Sequence, residues 1–378
     1  IDTSLKNNLT IKNEKLRSEY QEKLIKSATN ISKTNVFVEA GRINSSYIDN
    51  RFGVSQSFSF PSVYSNQKNV LKDEWKTALL SVCLKESEIR KLTTQIFYTI
   101  LFLREKEKLL LRVDSNYVEF LKKTNQRFKS GESNILEKAT VETQRGAILI
   151  QLNYLQQEIE VTKLQFQLLL NSKKYYEPVA SMLKIPPPKF ADSSALMQHP
   201  VLQILQQQKV LANSNIQLER SRLLPDISLG YFNMSMWGTG ADNVRYTGST
   251  RFGSAQFGVG IPLFFGSQKS KINAAKTNGL IAENEYVQQQ QILKAQMESA
   301  MVQYKSSLQT VNYFEQIGLP NAILITQTAS KQFAEGEINY LEWVMLINQS
   351  VAIQNNYLDA LKLLNENIIS INFLTSNK

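Results

Sequence analysis

The sequence predicts a mainly α-helical chain with a minor β component, built as two copies of one helix–β-hairpin–long helix–helix unit. Three observations carry that prediction. Sequence blocks recur at a fixed offset, apolar residues keep helical spacing over very long stretches, and short segments alternate with a period of two. The 378 residues, 42% of them hydrophobic, suit one large folded domain or two ordinary ones.

The repeat reads directly from the residues. Phe52-Gly53-Val54 returns as Phe257-Gly258-Val259, 205 residues on. Phe128-Lys129-Ser130-Gly131-Glu132 returns as Phe333-Ala334-Glu335-Gly336-Glu337 at the same offset of 205, and Asn134, Leu136 and Glu137 then meet Asn339, Leu341 and Glu342. Asn153-Tyr154-Leu155 matches Asn356-Tyr357-Leu358 at 203, while Asn35-Val36-Phe37-Val38 resembles Asp226-Ile227-Ser228-Leu229 at 191. The second copy therefore carries extra residues in its hairpin. The first repeat is expected over 1–172 and the second over 196–378, with 173–195 and its Pro186-Pro187-Pro188 as the linker.

Within each copy the elements follow in one order. A first helix is expected at about 5–30 and again at about 198–223. Strands follow at about 34–41 with 51–60, and at about 226–233 with 255–264. A very long helix then covers about 66–128 and about 268–333, and a second long helix about 134–172 and about 338–373. In Ile89, Leu92, Ile96, Tyr98, Leu101 and Leu103 the apolar positions spread over more than one helix face, as suits a helix with neighbours on both sides. Gly131 and Gly336 sit where a helix must stop and reverse. The long helices span roughly 95–100 Å, and the shorter helices of each copy, stacked end to end, give a similar length. That implies a tall column of paired helices. Gly318-Leu319-Pro320 should kink the second long helix.

The strands alternate cleanly. Phe52, Val54, Phe58 and Phe60 share a face with Gln56, and Gly53, Ser55, Ser57 and Ser59 form the other. In the second copy Phe257, Val259, Ile261 and Leu263 face one way and Gly258 and Gly260 the other. These eight large residues are the expected lipid-facing set, because strands of about 9–10 residues cross a bilayer when tilted. The neighbouring polar helices offer them no apolar layer. Four strands cannot close a barrel, and open edges are not tolerated in lipid, so several chains must combine. Two chains would give a filled barrel of about eight strands and three a pore of about twelve. A Gly/Ser-lined interior favours three.

Composition excludes several classes. The net charge of +10 is spread over 43 basic and 33 acidic residues along helices, which suits a solvated mixed-charge surface rather than a nucleic-acid site. No apolar run approaches the roughly 20 residues of a transmembrane helix. Ile1 opens almost directly into helical sequence, so native residues are expected to precede it. Cys83 reads as a small apolar helix contact and His199, before Pro200, as a helix-start surface residue. Met234 and Met236 could suit a soft metal but read as incidental. No phosphate loop, nucleophile elbow or metal-ligand spacing is present, so neither an enzyme nor a cofactor is expected.

Residues Leu223-Leu224-Pro225-Asp226-Ile227-Ser228-Leu229, the two Gly-centred turns followed by Asn-x-Leu-Glu, and Leu319-Pro320-Asn321-Ala322 together resemble the TolC-like outer membrane efflux protein family. Phe58-Ser59-Phe60-Pro61-Ser62-Val63 further resembles its heavy-metal branch. The resemblance implies a homotrimer whose strands form a transmembrane β-barrel in the outer membrane and whose helices form an α-helical barrel in the periplasm. It implies passive conduction of cargo such as heavy-metal cations or drugs. The implied partners are a periplasmic adaptor protein and an inner-membrane pump of the resistance-nodulation-division type. On that mapping Gly131, Glu132, Asn134, Leu136, Gly336, Glu337, Asn339 and Leu341 form the adaptor-docking tips. Glu137 and Glu342 fall near the pore constriction, although each also suits a helix N-terminus. A second family acid three residues later is replaced by Thr140 and Met345. The competing reading, a soluble periplasmic coiled-coil scaffold or adaptor, lacks any use for the alternating hairpins.

Overall fold

A computed structural model describes residues 1–43, 46–130, 135–180, 182–188 and 194–375. In chain order its elements are α1 (Asp2–Asn7), α2 (Leu9–Leu24), β1 (Asn35–Gly41), β2 (Asp49–Phe58), α3 (Pro61–Lys129) and α4 (Ile135–Leu170). Then come α5 (Ser194–Met197), α6 (Pro200–Ser221), β3 (Asp226–Ser235), β4 (Gly238–Thr239), β5 (Arg245–Tyr246) and β6 (Arg251–Gly260). The chain ends in α7 (Gly266–Tyr313), a π-helical turn (Phe314–Gly318), α8 (Leu319–Glu335) and α9 (Tyr340–Leu374). The architecture is mainly helical with one small sheet, and it divides into two compact units. One comprises Ile1–Asn13, Cys83–Pro200 and Gln290–Lys378, and the other Glu14–Val82 and Val201–Gln289.

The second of these units carries the sheet, antiparallel throughout in the order β1-β2-β3-β6. Strands of the two halves of the chain meet at its centre, where β2 pairs with β3 from Arg51↔Met234 to Phe58↔Ile227. β6 lies at 251–260, four residues before the predicted 255–264. Two causes act together. Pro262 has no N–H to extend the ladder, and β3 offers partners as far as Ser235↔Arg251. For the same reason β2 stops at Phe58, and Pro61 opens α3 as a favoured first helical residue. The helices here are tied by polar side chains as much as by apolar ones. Buried Asp73 accepts hydrogen bonds from Ser214 Oγ at 2.6 Å and Gln207 Nε2 at 3.1 Å. Lys209 pairs with Glu283 at 2.6 Å while lying over the Tyr286 ring.

The helical unit packs around a core drawn from α3, α4, α8 and α9. Phe120 is its centre, stacked on Trp343 and on Tyr340, each with ring centroids 4.7 Å apart, and tilted against Phe333 at 4.8 Å. Arg145 Nε donates to Asp114 Oδ1 at 2.9 Å, closing α4 onto α3. Ser350, fully buried, donates to Ala322 O at 2.7 Å and closes α9 onto α8.

The π-helical turn sits just ahead of Pro320, which cannot donate to the carbonyl four residues back. Leu319 N–H reaches Phe314 O instead, so the predicted break at Gly318-Leu319-Pro320 takes the form of one widened turn. Gly318 has no room for a side chain, since a Cβ would meet Phe314 Cδ1 at 2.8 Å. The linker docks beside it. Lys184 Nζ bridges both Glu315 oxygens at 2.9 and 3.0 Å, and buried Asn365 accepts from Ile185 N at 3.0 Å and donates to Leu183 O at 2.8 Å.

Two single-residue expectations are corrected. His199 is buried, not at the surface, and lies edge-on to Phe373 at 5.2 Å; burial pushes its imidazole below the ordinary value. Cys83 is exposed, not packed into a helix contact. It lines a cavity of about 380 Å³ with Lys91 and Phe373, because its face of α3 meets an opening rather than a neighbour.

Candidate functional site

Two features of the chain are unusual for a protein surface: one face of the sheet, and the helix–helix turns. The register sorts the strands into two faces. One presents Val36, Val38, Phe52, Val54, Phe58, Ile227, Leu229, Tyr231, Phe257 and Val259. The other presents Ser55, Ser57, Ser228, Gly230, Ser254, Gln256, Gly258 and Gly260, with bulkier side chains gathered at its loop end. The apolar face is strongly exposed, with Val38 at 75% and Phe257 at 68%. A contiguous apolar sheet face of this kind has no counterpart on ordinary soluble surfaces. β1 and β6 are its edges and pair with no further strand among the described residues.

The residues expected on that face divide as follows. Phe52, Val54, Phe58, Phe257 and Val259 lie in strands and share it. Phe60, Ile261 and Leu263 fall beyond the strand ends, exposed in the connections to α3 and α7. The face also includes Val36, Val38, Ile227, Leu229 and Tyr231, which sequence reasoning did not single out although their alternation was visible.

At the loop end of the polar face two rings lie over a glycine. A Cβ on Gly53 would meet both Phe37 and Phe232 within 2.5 Å, so only glycine admits this arrangement. Arg51 then covers both rings, its guanidinium 5.5 Å from the Phe37 centroid and 5.1 Å from that of Phe232.

The turn between α8 and α9 is set by two local devices. Gly336 takes a left-handed conformation, φ 79°, and caps α8. Asn339 caps α9 through a reciprocal pair: Glu342 N donates to Asn339 Oδ1 at 3.0 Å, and Asn339 N donates to Glu342 Oε2 at 2.9 Å. Glu342 therefore has a structural duty at its helix start. Glu337 lies in the turn, and Leu341 is 64% exposed. In the other turn Gly131, Glu132 and Asn134 lie outside the described residues. Leu136, at 71% exposure, follows them, and Glu137 stands in the first turn of α4. Its charge reaches the buried Tyr340 phenol, which burial already holds well above the ordinary tyrosine value.

Comparison with known proteins places this geometry. The outer membrane efflux protein family matches residues 192–375. No curated protein matches the sequence significantly. Among solved structures, CusC, described for its folding and transmembrane channel formation, superposes with a TM-score of 0.81 at 16% identity, covering 99% of this chain and 90% of CusC. The Campylobacter jejuni outer membrane channel CmeC gives 0.81 at 16% identity, covering 99% and 84% of the two chains. The outer-membrane channel OprN gives 0.82 at 15% identity, covering 100% and 89%. At these identities the structural likeness is one of fold, and it extends over the whole chain.

Proposed function

We propose that this chain, a member of the outer membrane efflux protein family, is one protomer of a passive outer-membrane export channel. One observation carries the reading: an exposed apolar sheet face bounded by two unpaired edge strands. In water such a surface aggregates, and in lipid its open edges are prohibited, so it is stable only as part of a closed barrel. Three copies of the four-stranded sheet give twelve strands. The apolar face then meets lipid and the Gly/Ser face lines a water-filled path.

The helical unit belongs in the periplasm on this reading. Its two turns, carrying exposed Leu136 and Leu341, are the docking tips for a periplasmic adaptor that connects to an inner-membrane pump of the resistance-nodulation-division type. Glu137 and Glu342 form acidic rings at the constriction, where like charges in three copies attract cations and repel anions. Energy comes from the pump, and the cargo class is heavy-metal cations or drugs.

Purification in detergent, followed by mass measurement and planar-bilayer conductance, tests the reading. A detergent-dependent trimer that conducts is expected. A monomer soluble without detergent and giving no conductance would instead favour the scaffold or adaptor reading.

A further inference from the structure

We infer that Arg251 forms a docking point for a lipid phosphate of the outer leaflet, at the upper edge of the apolar band. The inference rests on the channel reading, and it concerns a residue that reading leaves unused. Arg251 is the first residue of β6, at the loop end of the sheet, and by register it stands on the same face as Phe257, Val259 and Tyr231. A charge on that face needs a reason.

Its surroundings supply one. The guanidinium reaches across β3 to β2. Nε donates to Asn233 Oδ1 at 2.5 Å, Nη2 to Asn233 O at 3.4 Å, and Nη1 to Asn50 Oδ1. The group lies over the Phe52 ring, 5.4 Å from its centroid. All three acceptors are neutral amide oxygens, so the side chain is held in place while its charge stays uncompensated. These bonds use three of the five N–H donors a guanidinium carries, leaving the rest for a ligand.

The row Asn50, Asn233 and Arg251 thus ends the apolar band formed by Val36, Val38, Phe52, Val54, Leu229 and Phe257. Two properties select the partner. Continuity with the band places the ligand at the level where acyl chains give way to headgroups. The preorganised planar cation suits an oxyanion and favours phosphate over a neutral or zwitterionic group. A phosphorylated outer-leaflet glycolipid has both the acyl chains and the phosphate that the surface fits.

The test uses detergent-purified full-length trimer mixed with equal amounts of bis-phosphorylated and dephosphorylated lipid A, with bound lipid read by native mass spectrometry. Wild type should retain the phosphorylated form about tenfold over the other, the ratio one charge-assisted contact provides. Arg251→Gln should bring the ratio close to one, and Arg251→Lys, which keeps the charge without the fork, should keep part of it. The same spectra report trimer mass, so a variant that fails to assemble is recognised and the lysine variant then decides. A wild type without preference, or an assembled Arg251→Gln trimer that keeps the full ratio, overturns the proposal. Failure of the channel reading shows differently, as a wild-type protein that gives no trimer and no conductance in phosphatidylethanolamine bilayers.

Discussion

The two helix–helix turns hold residues that the 205-residue offset equates, and they use them in opposite ways. In the second, Phe333 and Trp343 face each other at 5.9 Å inside the core. Their equivalents in the first are Phe128 and Lys138, an exposed ring with an ammonium 5.8 Å above it. Tyr340 is 1% exposed, and its equivalent Ile135 is 60% exposed. The second turn has committed its aromatic residues to internal packing, closing on Phe120 of the first hairpin. The first turn leaves its apolar residues facing outward. A duplicated unit has thus divided two tasks, one tip bracing the pair and the other offering surface.

The largest expected effect attacks the brace. Trp343→Ala should destabilise the protein by about 3–5 kcal/mol, since it removes a buried indole from the Phe120 stack. Lys138→Ala, at the equivalent position, should change stability by less than about 0.5 kcal/mol. Thermal unfolding of the two variants in one detergent measures the contrast, and similar losses would break the division of tasks.

Next comes the surface. Ile135→Ser and Leu136→Ser should weaken adaptor docking by about 1–3 kcal/mol, as loss of an interface anchor does, with little change in melting temperature. Titration of the adaptor against the purified trimer gives the number. Docking unaffected by both changes would take the first tip out of the interface.

How much of this was legible beforehand follows from where the determining forces lie. Helix existence was readable, because periodicity is a local property, and so was the mainly helical class with its hairpins. The position of β6 was not. Ser254, Ala255 and Gln256 have weak strand preference, and only pairing with β3 draws them into the ladder, while the apolar run Ile261 to Phe265 imitates a strand that Pro262 prevents. Exposure of Cys83 and burial of His199 depend on neighbours distant in sequence, as does the stack that brings Phe120 against Phe333. At the candidate site, the Glu342 cap could be read from Asn-x-x-Glu, and the Arg251 bridge to Asn50 could not, since it crosses 201 residues.

A smaller effect concerns the hydroxyl of Tyr340, which is buried without a hydrogen-bond partner. Tyr340→Phe removes an orphaned polar group and should stabilise by about 1 kcal/mol. It should also change the alkaline limb. Burial holds the folded phenol above its unfolded value of about 10, so this residue contributes no pH dependence below that value. Above it the unfolded chain releases the proton first, and wild-type stability falls as pH rises. Melting temperatures between pH 8 and 11 should therefore diverge, with the variant losing less. Parallel curves would mean the phenol is not shielded, and the second tip would be looser than the packing indicates.

The smallest stability change gives the sharpest functional question. Glu342 has two duties on this reading, a cap on α9 and a charge in the pore, and one substitution separates them. Glutamine keeps the oxygen that accepts Asn339 N–H, so Glu342→Gln preserves the capping box and loses only the charge's interaction with the helix dipole, about 0.3–1 kcal/mol. Asn339→Ala does the reverse, removing the cap acceptor while leaving the carboxylate in place. Reversal potentials across a salt gradient should show weaker cation preference for Glu342→Gln and no change for Asn339→Ala. If neither variant moves the reversal potential, Glu342 is a capping residue alone, and the acidic ring must be sought at Glu137, the equivalent position in the tip that faces outward.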